Sequence, residues 1–182
     1  MEAIEMIKER RSVRKYKNEK VDRALIEEIV EISRWAPSWA NFQVARYTIV
    51  DNEEMIQAIY ERGVNGFSYN MKTLANTKGV MVLSYVKGKS GTYDKTYATN
   101  KANDWEMFDA GIACQTFCLA AHAKGIGTCI FGIIDDQEIA KIINLPEEQT
   151  IAAIITYGHP EGEHPQPTMR KETKDILRVA GE

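Results

Sequence analysis

Glu9-Arg10-Arg11-Ser12-Val13-Arg14-Lys15-Tyr16 lies where one backbone pattern gives way to another. Before it, residues 2–9 carry Ala3, Ile4, Met6 and Ile7 at roughly helical spacing. After Arg14 that period stops, so the chain is expected to leave a helix and run extended. In extended backbone alternate side chains share a face. Arg10, Ser12 and Arg14 then point one way and offer two guanidinium forks around a hydroxyl, a set suited to a phosphate dianion. A continued helix would align Arg10 with Arg14 and turn Ser12 aside. Cations at a helix C-terminus also complement its dipole with no ligand at all, so the stretch by itself leaves both readings open.

The 182 residues are 44% apolar and 27% charged, which suits one globular domain spanning 1–182 with a sizeable core. A net charge of -3 lacks the basic field that nucleic acid requires. No segment resembles a signal peptide, and no apolar run is long enough to span a bilayer, so a cytoplasmic protein free of membranes is expected. Cys114, Cys118 and Cys129 are odd in number and lack metal spacing. They read as free buried thiols in a reducing compartment. His122, His159 and His164 form no ligand pattern with them, and no metal is expected.

Residues 22–36 read as a helix with Asp22 as cap, an apolar stripe through Leu25, Ile26, Ile29 and Val30, and Pro37 as its stop. Residues 36–43 are a loop in which Pro37, Ser38 and Asn41 favour turns. Trp39, Phe42 and Gln43 beside them are aromatic and amide groups suited to a planar, hydrogen-bonding ligand. A strand at 47–50 follows, then helices at 52–61 and 67–76, the second carrying Lys72. Residues 80–86 form a continuous apolar run, a buried strand. Residues 87–92 are a loop, and the polar stretch 93–104 is either a mobile lid or simply loop and helix start.

Residues 105–124 give the strongest helix, apolar nearly all round and therefore buried on more than one face. Ala110, Gly111, Ala113 and Cys114 permit close helix approach, and the second buried face fits either a monomer core or a two-fold interface. Asp109 and Gln115 need polar partners if buried. A strand at 128–134, a helix at 137–143 capped by Asp135 and a strand at 151–157 complete the framework. The tail 161–171 is Pro-rich and ends on Arg170-Lys171, before a terminal helix at 172–179. Gly125-Ile126-Gly127 lies between helix and strand, the reverse of the strand-to-helix order of a dinucleotide fingerprint.

Arg10-Arg11-Ser12-Val13-Arg14, Ala36-Pro37-Ser38 with Asn41 and Gln43, and the helix segment from Asp109 to Gln115 follow one another in a fixed order. Gly125-Ile126-Gly127-Thr128-Cys129, Gly158-His159-Pro160 and Arg170-Lys171 continue it. In that order the chain resembles the FMN-dependent nitroreductase family over essentially its whole length. The resemblance implies an α+β fold, a central mostly antiparallel sheet flanked by helices, and an intertwined homodimer. It implies FMN as cofactor, NADH or NADPH as reductant, and a nitroaromatic, quinone or similar small-molecule acceptor served by a ping-pong cycle. Other chemistry on the same scaffold, such as reductive dehalogenation, or noncatalytic flavin binding, stands beside it.

Carried residue by residue, the resemblance gives Arg10, Arg11, Ser12 and Arg14 the FMN phosphate and ribityl chain, with Arg170 and Lys171 closing on the phosphate. Pro37, Ser38 and Asn41 would reach the flavin of the other subunit. Ile130, Phe131, Gly132 and Ile133 would line one face of the ring system, and Lys72 would lie near its pyrimidine edge. No catalytic side chain is implied. Two residues depart from the family pattern: Val44 where proline is common, and Phe131 where a charged residue is common. Phe131, Trp39 and Phe42 are expected to wall the pocket as flat apolar surfaces.

Overall fold

The computed structural model describes residues 2–64 and 66–181. Four strands, Ala45–Val50 (β1), Gly79–Val86 (β2), Gly127–Phe131 (β5) and Gln149–Gly158 (β6), form one sheet in the order β1-β2-β6-β5. All three pairings are antiparallel. Two further strands, Thr92–Tyr93 (β3) and Thr96–Tyr97 (β4), make a small separate hairpin.

β2 is apolar at nearly every position, so it requires cover on both faces. Met81 and Leu83 point to one side, where they meet Ile155 and Tyr157 of β6 and the helices Arg23–Ser33 (α2) and Asp104–Ala123 (α5). Val80 and Val82 point to the other, against Ile154, Cys129 and Phe131. That side is covered by Glu53–Ala58 (α3), Ser68–Leu74 (α4) and Asp136–Ile142 (α6), through Ile56, Leu74 and Ile139. The expected strand-and-helix framework is therefore present as three layers with a helical layer on each face. Asp22, Asn52 and Asp135 cap α2, α3 and α6 by accepting from Ala24, Met55 and Glu138 N–H groups.

The first helix, Ala3–Glu9 (α1), ends where the sequence indicates, and Arg10 takes extended angles (φ -56°, ψ 128°). The segment then lies along the free edge of β5. Val13 N–H donates to the Thr128 carbonyl at 2.9 Å, Ser12 and Thr128 form a parallel bridge, and Tyr16 bridges Pro160. Two glycines permit this close approach. Gly127 and Gly158 face each other across the β5–β6 pair. A Cβ on Gly127 would stand 2.7 Å from Val13 Cβ, and one on Gly158 2.9 Å from the Tyr16 ring. The Tyr16 hydroxyl, 2.7 Å from the Val13 carbonyl and 2.9 Å from Thr156 Oγ1, closes the corner. Burial holds its pKa well above that of a free phenol.

Several boundaries differ from the sequence reading. α2 stops at Ser33 with Arg34 as its cap, short of Ala36, the residue that Pro37 disfavours from helical angles. α3 runs on into a π turn, Ile59–Gly63. β5 ends at Phe131 and not at residue 134, since its pairing with β6 stops there. The polar stretch 93–104 contains the hairpin β3–β4, which turns through Asp94 and Lys95 in left-handed conformation (φ 51° and 64°). The expected terminal helix over 172–179 is reduced to a single 3-10 turn, Thr173–Asp175. Its residues are exposed throughout, so no packed face supports a longer one.

Gly127→Ala should force Val13 away from the β5 edge. The expected loss is about 1–3 kcal/mol of stability, read as a lower urea midpoint with the transition slope unchanged. An unaltered midpoint would mean that the N-terminal segment does not depend on this contact.

Candidate functional site

The β5 edge gathers the first group of predicted residues. Val13 turns into the core, so its neighbours Ser12 and Arg14 face outward, with Arg14 exposed and Arg10 and Ser12 half-buried. Among the described residues, Arg10, Arg11 and Arg14 form no ion pair with any carboxylate, although seven such pairs occur elsewhere. Arg11 is turned differently from the other two. Its Nη1 donates to the Lys8 carbonyl at 2.5 Å and to the Arg10 carbonyl, at the C-terminus of α1. Its Nε is buried without a partner. The two readings of the stretch thus divide between residues: Arg11 serves the helix end, while Arg10 and Arg14 have no carboxylate partner among the described residues, Arg14 Nη1 reaching only the Ser12 carbonyl at 3.4 Å.

A cleft of about 270 Å³ beside Arg10 and Arg11 also takes in His122 and His164. The imidazoles are 6.1 Å apart, and His164 Nε2 lies 2.8 Å from the Glu9 carbonyl oxygen. Burial first, then the charges of His164 and Arg10, lower the His122 pKa. The sequence showed no signal for this pair, because the two histidines are joined only by the fold.

At the far end of β5 the alternation corrects one expectation. Phe131 is 1% exposed and packs in the core against Ile139 and Ile154. Its ring does not wall a pocket. Ile130, at 45%, presents the side chain, and Gly132 leaves its backbone open with nothing within 4 Å of a Cβ. Asn70 Nδ2 donates to the Ile133 carbonyl at 3.4 Å and brings α4 beside this turn. Lys72, on the same helix, is exposed and unpaired among the described residues.

The Pro37 loop is a second, separate assembly. Ala40, Asn41 and Gln43 all take positive φ (42°, 57° and 50°), left-handed backbone that side chains disfavour. Such a cluster persists only where surroundings impose it. Gln43 N–H donates to Ser38 Oγ at 2.8 Å, and Trp39 N–H donates to both carboxylate oxygens of Asp109 at 3.1 and 3.0 Å. Ser90 O–H donates to the same carboxylate at 2.5 Å. Asp109 is buried and has its polar partners, whereas Gln115 is exposed and needs none. Trp39 packs on Trp105 with ring centroids 4.7 Å apart. Pro37 and Ser38 line a cleft of about 370 Å³ with Phe42, Arg46, Tyr47 and Asp109, while Asn41 is exposed at the loop's surface.

Within one chain these two assemblies line different clefts. The tail does not join them: Arg170 is exposed and, among the described residues, its guanidinium bonds only to Thr168 and Met169, and Lys171 is exposed too. No group of three or more His, Cys, Asp or Glu suited to a metal occurs among the described residues. No described helix is long and apolar enough to cross a membrane.

The model of the Nitroreductase family matches residues 7–159. The chain belongs to that family. Its oxidoreductase character follows from that membership. A relative from Methanothermobacter thermautotrophicus, named as an NADH dehydrogenase/NAD(P)H nitroreductase, is 29% identical over 88% of this chain and 78% of its own. An iodotyrosine deiodinase from Thermotoga neapolitana is 25% identical over 89% of this chain and 90% of its own. A nitroreductase from Exiguobacterium sibiricum, solved in complex with FMN, superposes with a TM-score of 0.84. It is 20% identical over 98% of this chain and 97% of that one, and so speaks to the nitroreductase fold.

Asp109→Ala would strip Trp39 N–H and Ser90 O–H of their shared acceptor. A loss of about 2–4 kcal/mol is expected, with altered tryptophan emission as Trp39 leaves Trp105. Asp109→Asn should be milder, because a carboxamide can accept from Trp39 and donate to Ser90. Equal stability and unchanged emission in the alanine variant would refute this account of the loop.

Proposed function

We propose that the protein is an FMN-dependent oxidoreductase that takes electrons from NAD(P)H and delivers them to a small-molecule acceptor such as a nitroaromatic or a quinone. The reading is carried by the Ser12–Thr128 bridge. It sets two guanidinium groups without carboxylate partners among the described residues at the start of β5, whose other end opens at Ile130 and Gly132. At strand spacing the two ends are roughly 13 Å apart, so an anionic group and a planar ring could be held along one edge. The absence, among the described residues, of any carboxylate partner for Arg10 and Arg14 fits a phosphate there. The FMN complex of the Exiguobacterium protein and the NAD(P)H-dependent names of relatives support the cofactor and the reductant.

When bound, FMN would supply two-electron chemistry between a nicotinamide and an acceptor. The chain's own part is position. Arg10, Ser12 and Arg14 would hold the phosphate and ribityl oxygens, with Arg170 and Lys171 added from the tail. Backbone at Ile130, Phe131 and Gly132 would face the ring edge, and Lys72 would approach from α4. Nicotinamide and acceptor would use one open place in turn, and water can supply protons, so no catalytic side chain is required. The deiodinase relative supports reductive dehalogenation as a second reading, separable by product analysis with a halogenated phenol.

A second copy of the chain would complete the site and bring Pro37, Ser38 and Asn41 to it. Much apolar surface supports this. Met107 and Phe108 on α5, Ile4 and Ile7 on α1, and Ile176 and Leu177 in the tail are all exposed in one chain, and α1 buries no residue. One domain per subunit and a cytoplasmic setting belong to the same proposal.

The purified protein should be yellow, bleach anaerobically with NADH or NADPH, and give parallel double-reciprocal lines with an added acceptor. Arg10→Ala should weaken FMN binding by about ten- to a hundredfold, with a smaller effect on riboflavin, which lacks the phosphate. A colourless protein that takes up no FMN would defeat the reading, and equal losses for both ligands would remove Arg10 from the phosphate.

Gly111 lies exposed on α5, and a Cβ there meets no atom within 4 Å in a single chain. Gly111→Leu should therefore leave the subunit folded but split the dimer, whose interface should bury at least about 2,000 Å². Sedimentation should show monomers and a loss of flavin together; a variant that remains dimeric would exclude α5 from the interface.

A further inference from the structure

A cleft of about 830 Å³ opens between the Pro37 loop and the segment carrying the β3–β4 hairpin. Its walls include Trp39, Phe42 and Tyr93, all able to stack on a flat ring, together with Lys89, Lys95 and Asp94. Two ammonium groups against one carboxylate leave a net positive charge. Among the described residues neither lysine has an ion-pair partner.

Both walls are fixed from beneath by buried acids of α5. Asp109 takes Trp39 N–H of one wall and the O–H of Ser90, buried behind the other. One turn earlier, buried Glu106 accepts from Gly88 N–H at 2.5 Å and Lys89 N–H at 3.2 Å. Gly91 makes the turn between them with φ 83°, where a Cβ would stand 2.4 Å from the Ala102 carbonyl oxygen. Ala98 N–H donates to the Gly91 carbonyl, and Thr96 Oγ1 to the Tyr93 carbonyl, so the hairpin is tied at its base and at its turn. Buried carboxylates are costly to desolvate. Here three of the four partner residues, Trp39, Gly88 and Lys89, line the cleft, and the fourth, Ser90, is buried behind it, which marks it as a built feature.

We propose that this cleft is a ligand subsite that selects a flat aromatic compound carrying a carboxylate. The ring would stack among Trp39, Phe42 and Tyr93, with the carboxylate toward Lys89 and Lys95. The proposal rests on the oxidoreductase reading for what happens to the bound molecule, but not for its binding.

The test compares 4-nitrobenzoate with its neutral isostere 4-nitrobenzamide. Calorimetry on the purified holoprotein should show tighter binding of 4-nitrobenzoate, weakening as salt rises. In Lys89→Met/Lys95→Met, binding of the carboxylate should fall about five- to tenfold, with less than about twofold change for the amide. NAD(P)H-driven turnover should show the same split in KM, with kcat little changed. Equal affinity for the two ligands, or equal losses in the variant, would overturn the subsite. Discrimination in binding without turnover of either compound would overturn the nitroaromatic as acceptor and leave the subsite standing.

Discussion

The packing of Val13 and Tyr16 onto two facing glycines is the constraint on which the rest of the molecule turns. Without side chains at Gly127 and Gly158, the N-terminal segment can lie flat against the sheet edge. That contact closes an edge strand that would otherwise expose unpaired backbone. It also decides which way the neighbouring residues face. With Val13 held inward, Ser12 and Arg14 must face out, and an arginine cluster follows from a packing requirement. Fold and site are here two results of one steric fact.

The helix α5 plays the second organising part. Its long apolar surface anchors one face of the sheet through Phe117, Cys118 and Ala121. Its first turns do different work, since Glu106 and Asp109 are buried acids whose partners all belong to loops. The same helix is thus a core element at one end and a bracket for irregular chain at the other. That arrangement accounts for left-handed backbone at Ala40, Asn41 and Gln43: the strain is local, and the carboxylate that opposes it comes from a rigid element.

Much of this was legible from residue order. The strand at 80–86 and the helix at 105–124 depend on hydrophobic runs long enough to overrule local preference, and both formed within a residue of their expected limits. The helix-to-extended change at Arg10 was legible because the apolar period stops there. The hairpin at 92–97 was not, since its turn uses Asp94 and Lys95 where Asn-Gly would have announced it. The terminal helix was overread: an amphipathic pattern predicts a helix only where something covers its apolar face. The Phe131 ring was expected at a pocket wall, but that face of β5 is covered by the core around Ile139 and Ile154, which the strand's own residues do not report. The cofactor roles given to Arg10, Ser12, Pro37, Lys72 and Arg170 rest on family likeness and are matters for experiment. The brackets at Glu106 and Asp109 and the His122–His164 pair join residues distant in the chain, and no periodicity reports such contacts.

The parallel bridge between Ser12 and Thr128, and the antiparallel one between Tyr16 and Pro160, also carry a consequence for the order of events during synthesis. The bridge partners of Ser12 and Tyr16, Thr128 and Pro160, are made only after the long stretch of chain between them. Helices and the β1–β2 pair can form earlier, from chain already made, but the N-terminal segment has no edge to join until β5 and β6 exist. Such distant closure is slow relative to local structure. The arginine cluster is therefore among the last parts of the molecule to take shape. Until then the nascent chain carries an open sheet edge, the state in which association with a wrong partner is most available to it.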